Sequence, residues 1–205
     1  MSILGGMSST ENKQQIYLGF KHMGQKFYAN GETEVDVTLL KLHPDTFKSG
    51  WGRYTKADGF EYQWDSKFTV PEKRPDETWK RAFSCWVMPK GAEHPYLWQR
   101  FTYSEVSAFD NILSTFWNDR ANHAGKFPVV EFTGSKIIQV GMGSSSELSF
   151  KFNSWSDNSF NVPDWYIDPD APADDDFVSP NEGLADKVND MIVKTSELSD
   201  DDIPF

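Results

Sequence analysis

The chain has 205 residues and a formal charge of −11, with 15% aromatic and 38% hydrophobic residues. That length suits one compact domain plus a tail. The lone cysteine, Cys85, excludes an internal disulfide, and no apolar run approaches the roughly 18 residues that a membrane span needs. Met1 to Ser9 lack the basic start and apolar stretch of a signal peptide, so a cytoplasmic location is expected, with Met7 after Gly5-Gly6 a second candidate start.

In chain order, Ile16-Tyr17-Leu18-Gly19-Phe20 reads as a first strand. Residues 34–42 alternate, with Val35, Val37 and Leu39 facing one way and Leu40 the other. That predicts a half-buried strand, ended by His43-Pro44-Asp45. Residues 50–58 read as a flexible loop showing Trp51 and Tyr54. Phe60 to Val70 predicts a strand with Phe60, Tyr62, Trp64, Ser66 and Phe68 on one face, and residues 71–81 a basic connection. Trp79–Met88 and Tyr96–Tyr103 predict two more strands, joined through Pro89-Lys90-Gly91. Ser104 is the expected N-cap of a helix reaching Asn118 or Asn122, with Glu105 in its first turn. Val106, Phe109, Leu113, Phe116 and Trp117 recur there at helical spacing. Val129–Phe132, Lys136–Val140, Leu148–Phe152 and Phe160–Ile167 predict short strands. Phe83, Trp86, Phe109 and Phe116 are the expected core residues.

The expected fold is mainly β: an OB-like (oligonucleotide-binding) barrel with extra hairpins and one main α-helix, followed by a flexible acidic C-terminal tail. The charge supports that division. Residues 1–163 carry 18 Lys plus Arg against 18 Asp plus Glu, whereas residues 164–205 carry 2 against 13. A neutral body with an acidic end suggests a domain, 1–167, and an interaction tail, 168–205. The stretch Asp168-Pro169-Asp170-Ala171-Pro172 cannot bury enough apolar surface to fold alone. Leu184, Val188, Met191 and Ile192 share one helical face, which predicts a short helix over 182–194.

The sequence closes on Asp200-Asp201-Asp202-Ile203-Pro204-Phe205. This tip resembles that of bacterial single-stranded DNA-binding proteins, in which an acidic run followed by Ile-Pro-Phe is a docking peptide. The resemblance covers about six to ten residues, and a bacteriophage member with a divergent body would combine such a tail with this sequence. It implies a host or phage replication, recombination or repair protein as partner, and it is compatible with a homo-oligomer. The physics agrees: burying the Phe205 ring is worth roughly 1.5–3 kcal/mol. Pro204 restricts the free peptide and so lowers the cost of ordering it. Asp200, Asp201 and Asp202 steer it to a basic surface.

Fourteen aromatics lie between Phe47 and Tyr103, interleaved with 11 Lys plus Arg and 8 acids over residues 41–100. Rings that stack on bases, at roughly 1–3 kcal/mol each, and cations that follow phosphates are what sequence-tolerant single-strand binding requires. The candidate nucleic-acid-binding residues are Trp51, Arg53, Tyr54, Lys56, Tyr62, Trp64, Lys73, Arg74, Lys80 and Arg81. No catalytic or metal-binding set is expected and no cofactor. The four histidines, His22, His43, His94 and His123, have no ligand spacing. Gly141-Met142-Gly143-Ser144 lacks the Lys of a phosphate loop and reads as a turn. Asp174-Asp175-Asp176 reads as a solvated linker. The leading expectation is non-catalytic, sequence-tolerant single-stranded DNA binding. The alternatives are a strand-annealing recombination protein and a tail-mimicking adaptor that binds no DNA.

Overall fold

The computed structural model describes residues 16–163. The chain divides into two units, Met1–Ile167 and Asp168–Phe205, and the described residues all belong to the first. The helix expected over 182–194 and the tip 200–205 lie outside the described residues.

The described chain is mainly β with one α-helix. Its strands are β1 (Tyr17–Lys21), β2 (Lys26–Ala29), β3 (Thr33–Val35), β4 (Leu39–Leu42), β5 (Lys48–Thr55), β6 (Gly59–Trp64), β7 (Lys80–Pro89), β8 (Tyr96–Arg100), β9 (Phe127–Val140) and β10 (Gly143–Ser156). The helix α1 (Tyr103–Phe116) sits between β8 and β9. The strands form one mixed sheet in the order β10, β9, β4, β7, β8, β1, β2, β3, from which β5 and β6 branch at β7. Only the β1–β8 pairing is parallel among the described ladders.

The central strand is β7, buried without a break from Ala82 to Val87. One of its edges is shared by two strands. β5 pairs with its first half, Gly52 opposite Lys80, and β4 with its second, Leu42 opposite Val87. Between them Pro44–Thr46 makes a short 3-10 turn, since Pro44 has no N–H for a ladder. The Thr46 hydroxyl takes over there, accepting the Trp86 N–H at 3.0 Å.

Alternation along β7 then creates two layers. Phe83, Cys85 and Val87 face α1 and join Leu18, Leu40, Leu42, Trp98, Phe109, Ile112 and Phe116 in the main core. The Phe83 and Phe109 rings stack at 4.2 Å. On the other face Trp86 and Leu97 pack with Phe127, Phe160 and Val162. The rings of β1–β2 meet those of β9–β10 across the main core, Phe27 lying 5.2 Å from Phe132. Gln25 adds hydrogen bonds to Ser146 and Ser135, both at 2.7 Å. These side chains, rather than a backbone ladder, span the gap: the sheet is open, with no pairing of β10 with β3 among the described residues.

Several expectations are corrected. The strand expected over 34–42 is broken at residues 36–38, and after the break the phase inverts, burying Leu40 and Leu42. Residues 50–58 are not a flexible loop: residues 50–55 belong to strand β5, which pairs with β7, and only 56–58 form a turn. The strand from Phe60 ends at Trp64. The next residue, Asp65, still donates its N–H to the Ser49 carbonyl of β5 at 2.8 Å, and its carboxylate, fully shielded from solvent, is bound by Ser49 Oγ at 2.6 Å and Arg81 at 2.8 Å. The helix begins at Tyr103, with Thr102 as N-cap. The Thr102 hydroxyl donates to buried Glu105 at 2.8 Å. Glu105 also accepts from the Phe20 N–H and the Trp98 indole. The two strands expected over 129–140 are one, because Gly134 at φ 131° absorbs the bulge between them. Residues 160–163, expected as the start of a strand, are packed by Phe160 and Val162 without ladder pairing.

Candidate nucleic-acid interface

The β5–β6 hairpin sorts its residues onto two faces. Its register sets Gly50 opposite Trp64, Gly52 opposite Tyr62 and Tyr54 opposite Phe60; the alternate pairs are Trp51 with Gln63 and Arg53 with Glu61. Directly opposed side chains share a face. One face therefore carries Tyr54, Phe60, Tyr62 and Trp64, and the other Trp51, Arg53 and Glu61. Gly59, at φ 75°, makes the tight turn after Lys56-Ala57-Asp58.

On the first face the rings form a continuous row, completed by Phe101 at the end of β8. Centroids are 5.0 Å apart for Tyr54–Phe60, 6.0 Å for Phe60–Phe101, 6.0 Å for Tyr62–Phe101 and 5.2 Å for Tyr62–Trp64. Phe60 and Tyr54 are 68% and 58% exposed. The glycines make this row possible. A Cβ on Gly52 would lie 2.8 Å from the Phe101 ring, and one on Gly50 2.8 Å from the Trp64 backbone. Lys80 stands opposite Gly52 and so shares this face. The Tyr62 hydroxyl is pushed above its ordinary pKa by burial, with a hydrogen bond to Gln99 and the Arg100 charge acting the other way.

The opposite face is closed by the connection 65–79. The Trp51 indole donates to the Glu72 carbonyl at 3.0 Å, and the Arg81 guanidinium lies 5.1 Å from its ring. Arg53 sits 4.7 Å over Trp79 and pairs with Glu61 at 2.6 Å and Asp76 at 3.8 Å. Arg74 donates to the Trp79 carbonyl at 2.8 Å and to the Glu77 carbonyl. Burial works to raise the Asp65 pKa, but Arg81, Ser49 and the Glu72 N–H outweigh it and hold the carboxyl below its ordinary value.

The structure thus brings together Tyr54, Tyr62, Trp64 and Lys80 from the residues expected at the site. Trp51, Arg53, Arg74 and Arg81 go to the other face, where other groups of the protein engage them. Lys56 is exposed in the hairpin turn and Lys73 in the connection. Phe60 and Phe101 complete the row and were not among the expected site residues. Phe60 shares its alternating phase with Tyr62 and Trp64, a signal visible in the sequence; Phe101 carries none, because β8 brings it there from elsewhere in the chain. Among the described residues no group of three or more His, Cys, Asp or Glu could hold a metal ion. No described helix is long and apolar enough to cross a membrane. Neither family models, curated proteins nor solved structures give a match to this chain.

Proposed function

We propose that this chain binds single-stranded DNA without catalysis, through the ring row of the β5–β6 hairpin, and recruits a protein partner through its acidic tail. The observation that carries the reading is the row itself: five adjoining rings on one strand face, two of them more than half exposed. Large exposed aromatics set side by side mark a binding surface, and π faces accept every base, which suits sequence-tolerant binding. Lys80 and Lys56 supply positive charge beside the rings. The strand order also supports an OB-like barrel: β4, then β7 and β8, a helix, then β9 and β10. On that reading β5–β6 is an enlarged connection between the first two barrel strands, and β1 to β3 are an addition before the barrel. The tail half rests on the resemblance of Asp200-Asp201-Asp202-Ile203-Pro204-Phe205 to the docking peptide of single-stranded DNA-binding proteins.

Titration with poly-dT at low salt, followed by tryptophan fluorescence, tests the first half. Quenching is expected, with Trp64 the reporter on the ring face; its absence rejects the reading. Deletion of residues 200–205 is expected to leave DNA binding intact or tighter and to abolish capture of replication or recombination proteins. Unchanged capture would reject the docking role.

A further inference from the structure

The outer face that bears the ring row does not end at Phe101. Beyond β8 lies β1, whose Tyr17 pairs with Leu97 in parallel register and so points to the same side as Gln99 and Tyr62. Tyr17 is 36% exposed and near enough to Tyr62 for the two hydroxyls to interact electrostatically. β2 follows, with Tyr28 opposite Gly19 on this face. Exposed Lys21 holds its ammonium 4.3 Å from the Tyr28 ring. Arg100 fills the space between the two regions. Its guanidinium occupies the position that a Cβ on Gly19 would need, at 1.7 Å, and its charge reaches the Tyr62 hydroxyl. Its Nε lies 3.5 Å from Glu105, which holds the side chain in place.

We propose that Tyr17, Tyr28, Lys21 and Arg100 form a second subsite for the same single strand, carrying it from the β5–β6 hairpin across β8 onto the β1–β2 hairpin. The proposal rests on the reading of the ring row as a DNA surface, and it specifies the length of strand engaged. The chemistry repeats that of a stacking track: tyrosine rings for bases, with a lysine and an arginine beside them for phosphates. Tyr54 and Phe60 form one end of the path and Lys21 and Tyr28 the other. A strand of a few nucleotides fills the hairpin alone, and a longer one reaches both parts.

Fluorescence anisotropy with labelled oligothymidylates of about 6 and about 20 nucleotides separates the two parts, the shorter lying near the low end and the longer beyond the roughly 4–16 nucleotides usual for an OB fold. Lys21→Glu and Tyr28→Ala should each weaken binding of the long oligomer about tenfold and leave the short one unchanged, at unchanged circular dichroism. Tyr28→Phe keeps the ring and should bind like the parent chain. Phe60→Ala should weaken both lengths. If Lys21→Glu and Tyr28→Ala bind the long oligomer as well as the parent while Phe60→Ala weakens both lengths, the second subsite is wrong and the hairpin reading stands. Equal weakening of both lengths by Lys21→Glu also overturns the subsite, because that is a general charge effect. If Phe60→Ala changes neither length, the hairpin reading falls and the subsite with it.

Discussion

The two faces of the β5–β6 hairpin are built from similar materials and end in opposite states. Each carries aromatic residues with basic residues close by in sequence. On the covered face Trp51 lies beneath Arg81, Arg53 lies over Trp79, and Glu61, Asp65 and Asp76 accept the guanidiniums. On the open face the rings touch mainly one another, and the register adds Lys80. Interleaved rings and cations are therefore not in themselves a nucleic-acid surface. What separates the two is where the acids fall. Asp65 and Asp76 sit in the connection that folds back on one face only, and they turn Arg81 and Arg53 inward. The covered face then stiffens the hairpin, which holds the open face extended.

The largest expected effect lies on the covered face and acts on stability. Asp65→Ala removes a shielded carboxylate that ties β5, β7 and the 65–79 connection together, and it leaves Arg81 without its partner. Breaking one side of such a pair costs about 3 kcal/mol. Urea unfolding should show it as a lower midpoint. Because the Asp65 pKa is depressed in the folded chain, its stabilisation is present above the ordinary carboxylate value of 3.8 and is lost as pH falls through the folded value. Asp65→Asn should therefore flatten stability against pH in the acid range below about 4. An unchanged acid limb would show that the ion pairs do not brace the hairpin. His43 acts in a higher window. Burial between Phe127 and Phe160 lowers its pKa from 6.5 and Asp45 opposes this more weakly. Its contribution is fully present above 6.5 and is lost as pH falls through the folded value, a limb that His43→Leu should remove.

The open face should behave in the reverse way. Tyr54→Ala and Phe60→Ala remove largely exposed rings, so stability should move by no more than about 0.5 kcal/mol. Affinity for poly-dT should fall by about 1–3 kcal/mol for each ring lost. Measuring both quantities on the same variants sharpens the contrast, since loss of stability without loss of affinity would make the row a packing device.

Much of this was legible in the sequence, and the limits have physical causes. Phe83, Trp86, Phe109 and Phe116 are buried as the periodicity implies, and the helix start is displaced by two residues, its N-cap being Thr102 rather than Ser104. The hairpin itself was hidden. Trp51-Gly52-Arg53 looks like loop chemistry, because glycine in a strand interior is unfavourable unless another group needs the space. Here Phe101 and the Trp64 backbone need it, and both come from strands that pair only in the fold. The fates of Arg53, Arg74 and Arg81 were likewise beyond a composition argument: a basic cluster reads as a phosphate surface until the carboxylates that pair with Arg53 and Arg81, and the carbonyls that take Arg74, are placed. Phe60 was available from its alternation with Tyr62 and Trp64 and was missed.

The smallest effect expected concerns salt, and it tests the same contrast through charge. Each phosphate neutralised on a single strand contributes a slope of about −0.7 to log affinity against log salt. Cations already held by internal carboxylates release no counterions when DNA arrives, so Arg53 and Arg81 should contribute little. The expected slope is accordingly shallow, about −1 to −2, set by residues such as Lys80, Lys56 and Lys21, since Arg100 is held by buried Glu105. Lys80→Ala should reduce its magnitude by about 0.7, whereas Arg53→Ala, corrected for any loss of folded protein, should leave it unchanged. A steep slope that flattens on removing Arg53 would mean that the covered face opens to meet the strand, and the division between a stacking face and a bracing face would have to be abandoned.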